Sequence, residues 1–96
     1  MCETITNYGH AILTNFKEND EVITTLKGSG ERRKLHMLNF GNVAYYNTHF
    51  HYTETANNTQ MKQLVEILSK DNHKTIIVTG DFNRQEYKEL RNLGFT

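Results

Sequence analysis

The chain has 96 residues, 36 % of them hydrophobic, with eleven lysines and arginines balancing eleven aspartates and glutamates. That length carries one domain with a modest core, and the apolar share stays below the usual ~45–50 % even after allowing for glycine, so the core is small or completed by something else. A net charge of zero excludes the sequence-wide basic footprint of many nucleic-acid binders, and a nucleic-acid substrate would have to be held by a local patch.

Cys2 is the single cysteine and cannot form an intrachain disulfide; no apolar run is long enough for a signal sequence or a membrane span. Both favour a reducing, cytoplasmic setting. With no proline and no repeat, organisation comes from periodicity and glycine. Tyr8–Thr14 reads as a short strand. Glu21–Leu26 is rich in β-branched residues and ends at Lys27-Gly28-Ser29-Gly30, a hairpin connection into a strand over Lys34–Phe40. There Leu35, Met37 and Asn39 face one way and His36, Leu38 and Phe40 the other, with His36 expected to be a partly exposed strand histidine.

Gly41-Asn42 signals a tight turn into the Val43–Thr48 strand, which favours antiparallel pairing. Tyr52–Asn58 reads as a polar loop able to shape a rim. Met61, Leu64, Val65 and Leu68 then recur at i, i+3, i+4 and i+7, the pattern of an amphipathic helix laid on a sheet, with Asn57, Asn58 or Thr59 as caps. Asp71-Asn72-His73 closes that helix, and His73 is most simply a helix-end histidine favoured by the macrodipole. A strand over Lys74–Thr79 and a helix over Gln85–Leu93, terminated by Gly94, complete the chain. The expected architecture is α+β: a mostly antiparallel sheet of about five strands with two helices on one face, in a single domain over residues 1–96.

Two stretches carry candidate chemistry. Thr75–Asn83 is an apolar β-branched run that ends in glycine and then presents Asp81 and Asn83; Val43–His51 likewise ends in Asn47, Thr48, His49 and His51. Chemistry in α/β sheets sits at such strand ends. Each residue also has a plainer role. Asn83 with Glu86 can cap the last helix, Asp81 can satisfy turn donors, and His49 and His51 can be two solvent-facing rings or a metal pair. The basic cluster Arg32-Arg33-Lys34, with Lys27 nearby, is a solvated hairpin end or a phosphate contact, and Arg33 is the candidate substrate-binding residue.

The combined order of Asn47-Thr48-His49-Phe50, a helix carrying Gln63-Leu64, and Gly80-Asp81-Phe82-Asn83 resembles the endonuclease/exonuclease/phosphatase superfamily of deoxyribonuclease-I-like metal-dependent phosphoesterases. Tyr8–Thr14 is similar to that family's Tyr-Gly-Asn-Ala-Ile-Leu-Ser strand, and Glu31-Arg32-Arg33 to its acidic-plus-arginine segment. The resemblance implies that His49 contacts or protonates the phosphate region, that Asp81 orients the attacking water, and that Asn83 holds the nucleophile or a phosphate oxygen. It further implies a Mg2+ cofactor, a phosphodiester or phosphomonoester substrate, and part of a four-layer αββα sandwich. The family's metal-binding glutamate and its carboxyl-terminal Ser-Asp-His segment have no counterpart here. The expectation is therefore a partial domain, inactive alone, whose uncovered sheet face invites a second copy or a complementary chain. Two alternatives accompany it: a non-catalytic interaction module using that face, and a zinc hydrolase built on His49-x-His51, for which the following Thr53-Glu54-Thr55 lacks the expected Asp-His.

Overall fold

Alternation along three strands builds the centre of the molecule. The computed structural model describes residues 2–4, 11–13, 20–28 and 33–96. In chain order these form β1 (Cys2–Thr4), β2 (Ala11–Leu13), β3 (Asp20–Leu26), β4 (Arg33–Asn39), β5 (Val43–His49), α1 (Glu54–Lys70), β6 (Thr75–Asp81) and α2 (Lys88–Asn92). The main sheet has the order β3-β4-β5-β6, antiparallel for the first three strands and parallel between β5 and β6, with α1 as the crossover. β1 and β2 pair antiparallel in a separate two-stranded sheet.

The architecture is α+β, as the pattern predicts, but the sheet differs from the expected five mostly antiparallel strands. The strand expected over Tyr8–Thr14 is Ala11–Leu13 and joins β1 rather than the main sheet; residues 8–10 and 14 lie outside the described residues, as do Ser29, Gly30, Glu31 and Arg32. The β4–β5 hairpin forms as expected, with Phe40 N–H donating to the Val43 carbonyl (2.8 Å) and Gly41 at φ 83°.

Ala44, Tyr46 and Thr48 of β5 point into the core, while Val43, Tyr45, Asn47 and His49 point to the opposite face. α1 lays Met61, Leu64 and Leu68 against Leu35, Ala44 and Tyr46, and Leu90 of α2 belongs to the same cluster, which puts both helices on one face. Each of these buried aliphatic side chains contributes roughly 2 kcal/mol of hydrophobic stabilisation.

β4 departs from simple alternation. Leu35 is buried towards the helices, and His36 and Leu38 are buried on the other face as well. His36 is therefore not the partly exposed histidine expected; it is fully buried, with Nε2 3.1 Å from Glu21 Oε2. The face opposite the helices is thus covered at His36 and Leu38, while Ile23 (40 %) and Ile77 (42 %), with Thr25, Thr75 and Asp81, are exposed on it.

Both helices differ at their starts. α1 begins at Glu54, so most of the expected Tyr52–Asn58 loop is helix, and Asn57, Asn58 and Thr59 lie inside it rather than capping it. Thr53 is the N-cap residue, without a side-chain cap bond. α2 spans only Lys88–Asn92 with Tyr87 as its N-cap residue, and the Asn83/Glu86 capping arrangement does not form because Asn83 sits in a left-handed turn (φ 49°) well before that position. Gly94, at φ 103°, follows α2 as the terminator its position suggests. No helix among the described residues is long and apolar enough to cross a membrane.

Candidate functional site

The parallel pairing of β5 and β6 brings the two polar strand ends together. Their register sets His49 beside Asp81, and the ladder continues one step further as Phe50 N–H donates to the Asp81 carbonyl (2.9 Å). In both strands the polar residue is followed by a phenylalanine. Phe50 and Phe82 are buried and meet edge to face with centroids 5.2 Å apart; Phe82 makes a second such contact with Tyr87 at 5.7 Å. With the two rings anchored in the core, alternation turns His49 and Asp81 to the opposite face.

Glycine makes this close pairing feasible. Gly80 has φ +140°, and a Cβ placed there would lie 1.9 Å from the Thr48 carbonyl oxygen, so no other residue fits against β5 at this point. Immediately beyond it, His49 Nε2 and Asp81 Oδ2 stand 3.7 Å apart with side chains 41 % and 66 % exposed. That separation exceeds an ordinary hydrogen bond and leaves both groups open to solvent.

Asp81 Oδ1 accepts the Asn83 backbone N–H (2.9 Å), which closes the turn after the strand. Asn83 in turn donates from Nδ2 to the Phe50 carbonyl (2.7 Å). One amide hydrogen of Asn83 is thus committed to bracing β5 against the β6 loop, and the residue acts first as a positioning group.

Two buried amides on α1 complete the frame. Asn57 Nδ2 donates to the carbonyls of His51 (3.0 Å) and Phe82 (2.7 Å), and Gln60 Oε1 accepts the His51 backbone N–H (2.7 Å). They satisfy backbone groups just past the ends of β5 and β6, which would otherwise be buried without partners. The sequence pattern marks Asn57 only as a candidate helix cap and gives Gln60 no bracing role. The signal available was their spacing: Asn57 and Gln60 extend the Met61, Leu64, Leu68 stripe backwards by one turn.

The other candidates fall elsewhere. Arg33 lies opposite Leu26 in the β3–β4 register and is buried on the helix-covered face, so the structure does not bring this proposed substrate contact to the face of His49. His51 does not pair with His49. β5 ends before it, its ring is buried and stacked on Tyr52 (4.5 Å), and Nδ1 accepts the Thr53 backbone N–H (3.1 Å). The two imidazoles therefore have separate tasks and do not form the His-x-His metal pair. His73 sits just past α1 and bonds Asp71 and Asn39.

A magnesium ion takes several oxygen ligands in near-octahedral geometry. Among the described residues no group of three or more histidines, cysteines and carboxylates converges, and Asp81 already accepts from Asn83. The described residues do not form a magnesium or zinc site by themselves. No family model matches the sequence, and no curated protein does.

Proposed function

We propose that His49, Asp81 and the turn to Asn83 are the phosphate-handling part of an endonuclease/exonuclease/phosphatase-like phosphoesterase that is inactive as this chain alone. One observation carries the reading: an imidazole and a carboxylate, both partly exposed and 3.7 Å apart, at the carboxyl ends of two adjacent parallel strands. In this reading the His49 ring donates a hydrogen bond to a phosphate oxygen, and the Asp81 carboxylate accepts from a water and orients it towards phosphorus. Asn83 keeps the two strand ends in register through its bond to Phe50. Among the described residues no metal-ligand set converges beside the pair, and a metal supplies charge stabilisation worth several kcal/mol in such reactions, which is the reason for expecting no turnover.

The test is calorimetric titration of the chain with inorganic phosphate, together with hydrolysis of bis(p-nitrophenyl) phosphate in magnesium. Phosphate should bind, His49→Ala should abolish that binding, and hydrolysis should stay at the buffer rate. Absence of phosphate binding by the unaltered chain overturns the reading. Turnover that His49→Ala removes overturns its inactive half.

A further inference from the structure

An anion approaching this pair meets the negative charge of Asp81, so a cation on the same face is needed to hold it. Among the described residues, Arg84, Arg33, Lys27 and Lys34 are the cations to weigh, and their placements separate them. Arg84 donates to Glu89 (3.1 Å) and Asn58 (2.7 Å), so its charge is already balanced by a carboxylate. Arg33 is buried on the helix-covered face. Lys27 belongs to the loop after β3, which Gln63 of α1 holds through the Lys27 backbone N–H (3.0 Å).

Lys34 is different. Thr25 pairs with Lys34 across β3 and β4, Leu35 pairs with Thr48 across β4 and β5, and His49 pairs with Asp81 across β5 and β6. Continuing the β4–β5 register by one residue sets Lys34 across from His49. Thr25, Lys34, His49 and Asp81 therefore form one cross-strand row on the face away from the helices. Neighbouring strands are ~4.8 Å apart, which puts the Lys34 backbone about one strand spacing from His49 and about two from Asp81. Its side chain is half-buried, and its ammonium donates to a neutral acceptor, the Thr25 hydroxyl (2.9 Å); no carboxylate among the described residues pairs with it.

We infer that Lys34 is the phosphate-binding cation of the His49–Asp81 site, the role that Arg33, its neighbour in sequence, does not reach. This rests on the phosphate reading of the site given above. The argument is one of alternation: Arg33 and Lys34 are successive residues of β4, so their side chains face opposite ways and Lys34 is the one on the His49 face. A half-buried ammonium with a neutral partner keeps its charge available for an anion and forms a stronger, charge-assisted hydrogen bond with it than with a hydroxyl.

The experiment follows the His49 ring signals by NMR as inorganic phosphate is added at low salt to the full chain, to Lys34→Gln and to Lys34→Arg. Glutamine keeps a donor for Thr25 and removes only the charge. Lys34→Gln should raise the phosphate dissociation constant about tenfold or more, with the thermal midpoint unchanged, and Lys34→Arg should restore most of the affinity. If Lys34→Gln binds as tightly as the unaltered chain while the His49 signals still respond, the assignment of Lys34 is wrong and the phosphate reading stands. If the His49 signals of the unaltered chain do not respond to phosphate, the phosphate reading itself falls and takes this role with it.

Discussion

Among the described residues stand two histidine–aspartate pairs, and they are built in opposite ways. His49 and Asp81, at the carboxyl ends of β5 and β6, are 3.7 Å apart and 41 % and 66 % exposed. His73 and Asp71, just past α1, are 2.5 Å apart and 17 % and 6 % exposed. In the buried pair every side chain is engaged. Asp71 also accepts from the Tyr46 hydroxyl and from the His73 backbone N–H (2.8 Å), and His73 Nε2 meets Asn39 Oδ1 at 3.0 Å. Asn39 in turn accepts the Gly41 N–H of the β4–β5 turn (2.9 Å).

Burial alone would push the Asp71 carboxyl up, but the hydrogen bonds from Tyr46 and His73 outweigh it and hold the group below its ordinary range. The Tyr46 hydroxyl is driven far upward, first by burial and then by Asp71. This network locks the end of α1 to the middle of β5 and to the hairpin turn. What separates the two pairs is burial and distance: a short, buried pair holds structure, whereas a longer, partly exposed pair at a strand end lies within reach of solvent and of a ligand.

Three changes test that contrast. Gly80→Ala should have the largest effect, on the order of 3 kcal/mol or more, because its Cβ would fall 1.9 Å from the Thr48 carbonyl and force β6 away from β5. Urea unfolding measures the loss, and an unchanged midpoint would show that His49 and Asp81 do not depend on this pairing.

Asp71→Asn comes next, at about 1–3 kcal/mol, since it removes the charged acceptor of a buried network. The same change should alter the pH profile. With its folded pKa depressed, Asp71 contributes stability that is fully present above the unfolded carboxyl value of ~3.9 and is lost as pH falls through the lower folded value. Unfolding followed across the acid range should therefore fall less steeply in Asp71→Asn than in the unaltered chain. Identical slopes would mean that the network does not govern acid stability.

Asp81→Asn should be the smallest, within about 0.5 kcal/mol, because an exposed pair at this distance contributes little and asparagine still accepts the Asn83 N–H. A loss as large as that of Asp71→Asn would erase the distinction between the two pairs.

Much of this frame was legible in the residues. The β-branched runs before Leu26 and Thr79, the Gly41-Asn42 turn and the Met61, Leu64, Leu68 stripe mark their elements through periodicity and turn chemistry, which are local properties. The Asn57/Gln60 brace was legible only as spacing: both amides extend the Met61, Leu64, Leu68 stripe, but nothing local says that their partners are backbone groups of His51 and Phe82. His36 was misjudged for a related reason: alternation assigns a residue to a face but does not say whether that face is covered.

By itself, the sequence determined which residues stand at the strand ends, His49 before Phe50 and Asp81 before Phe82, because period-two alternation follows from backbone geometry alone. Only the tertiary structure decided that β5 and β6 run parallel and in a register that sets those residues side by side, that Arg33 faces away, and that one histidine–aspartate pair is sealed while the other is open. Those outcomes depend on how strands whose paired residues, such as His49 and Asp81, are far apart in the chain meet and on what packs over them, and no local pattern encodes either.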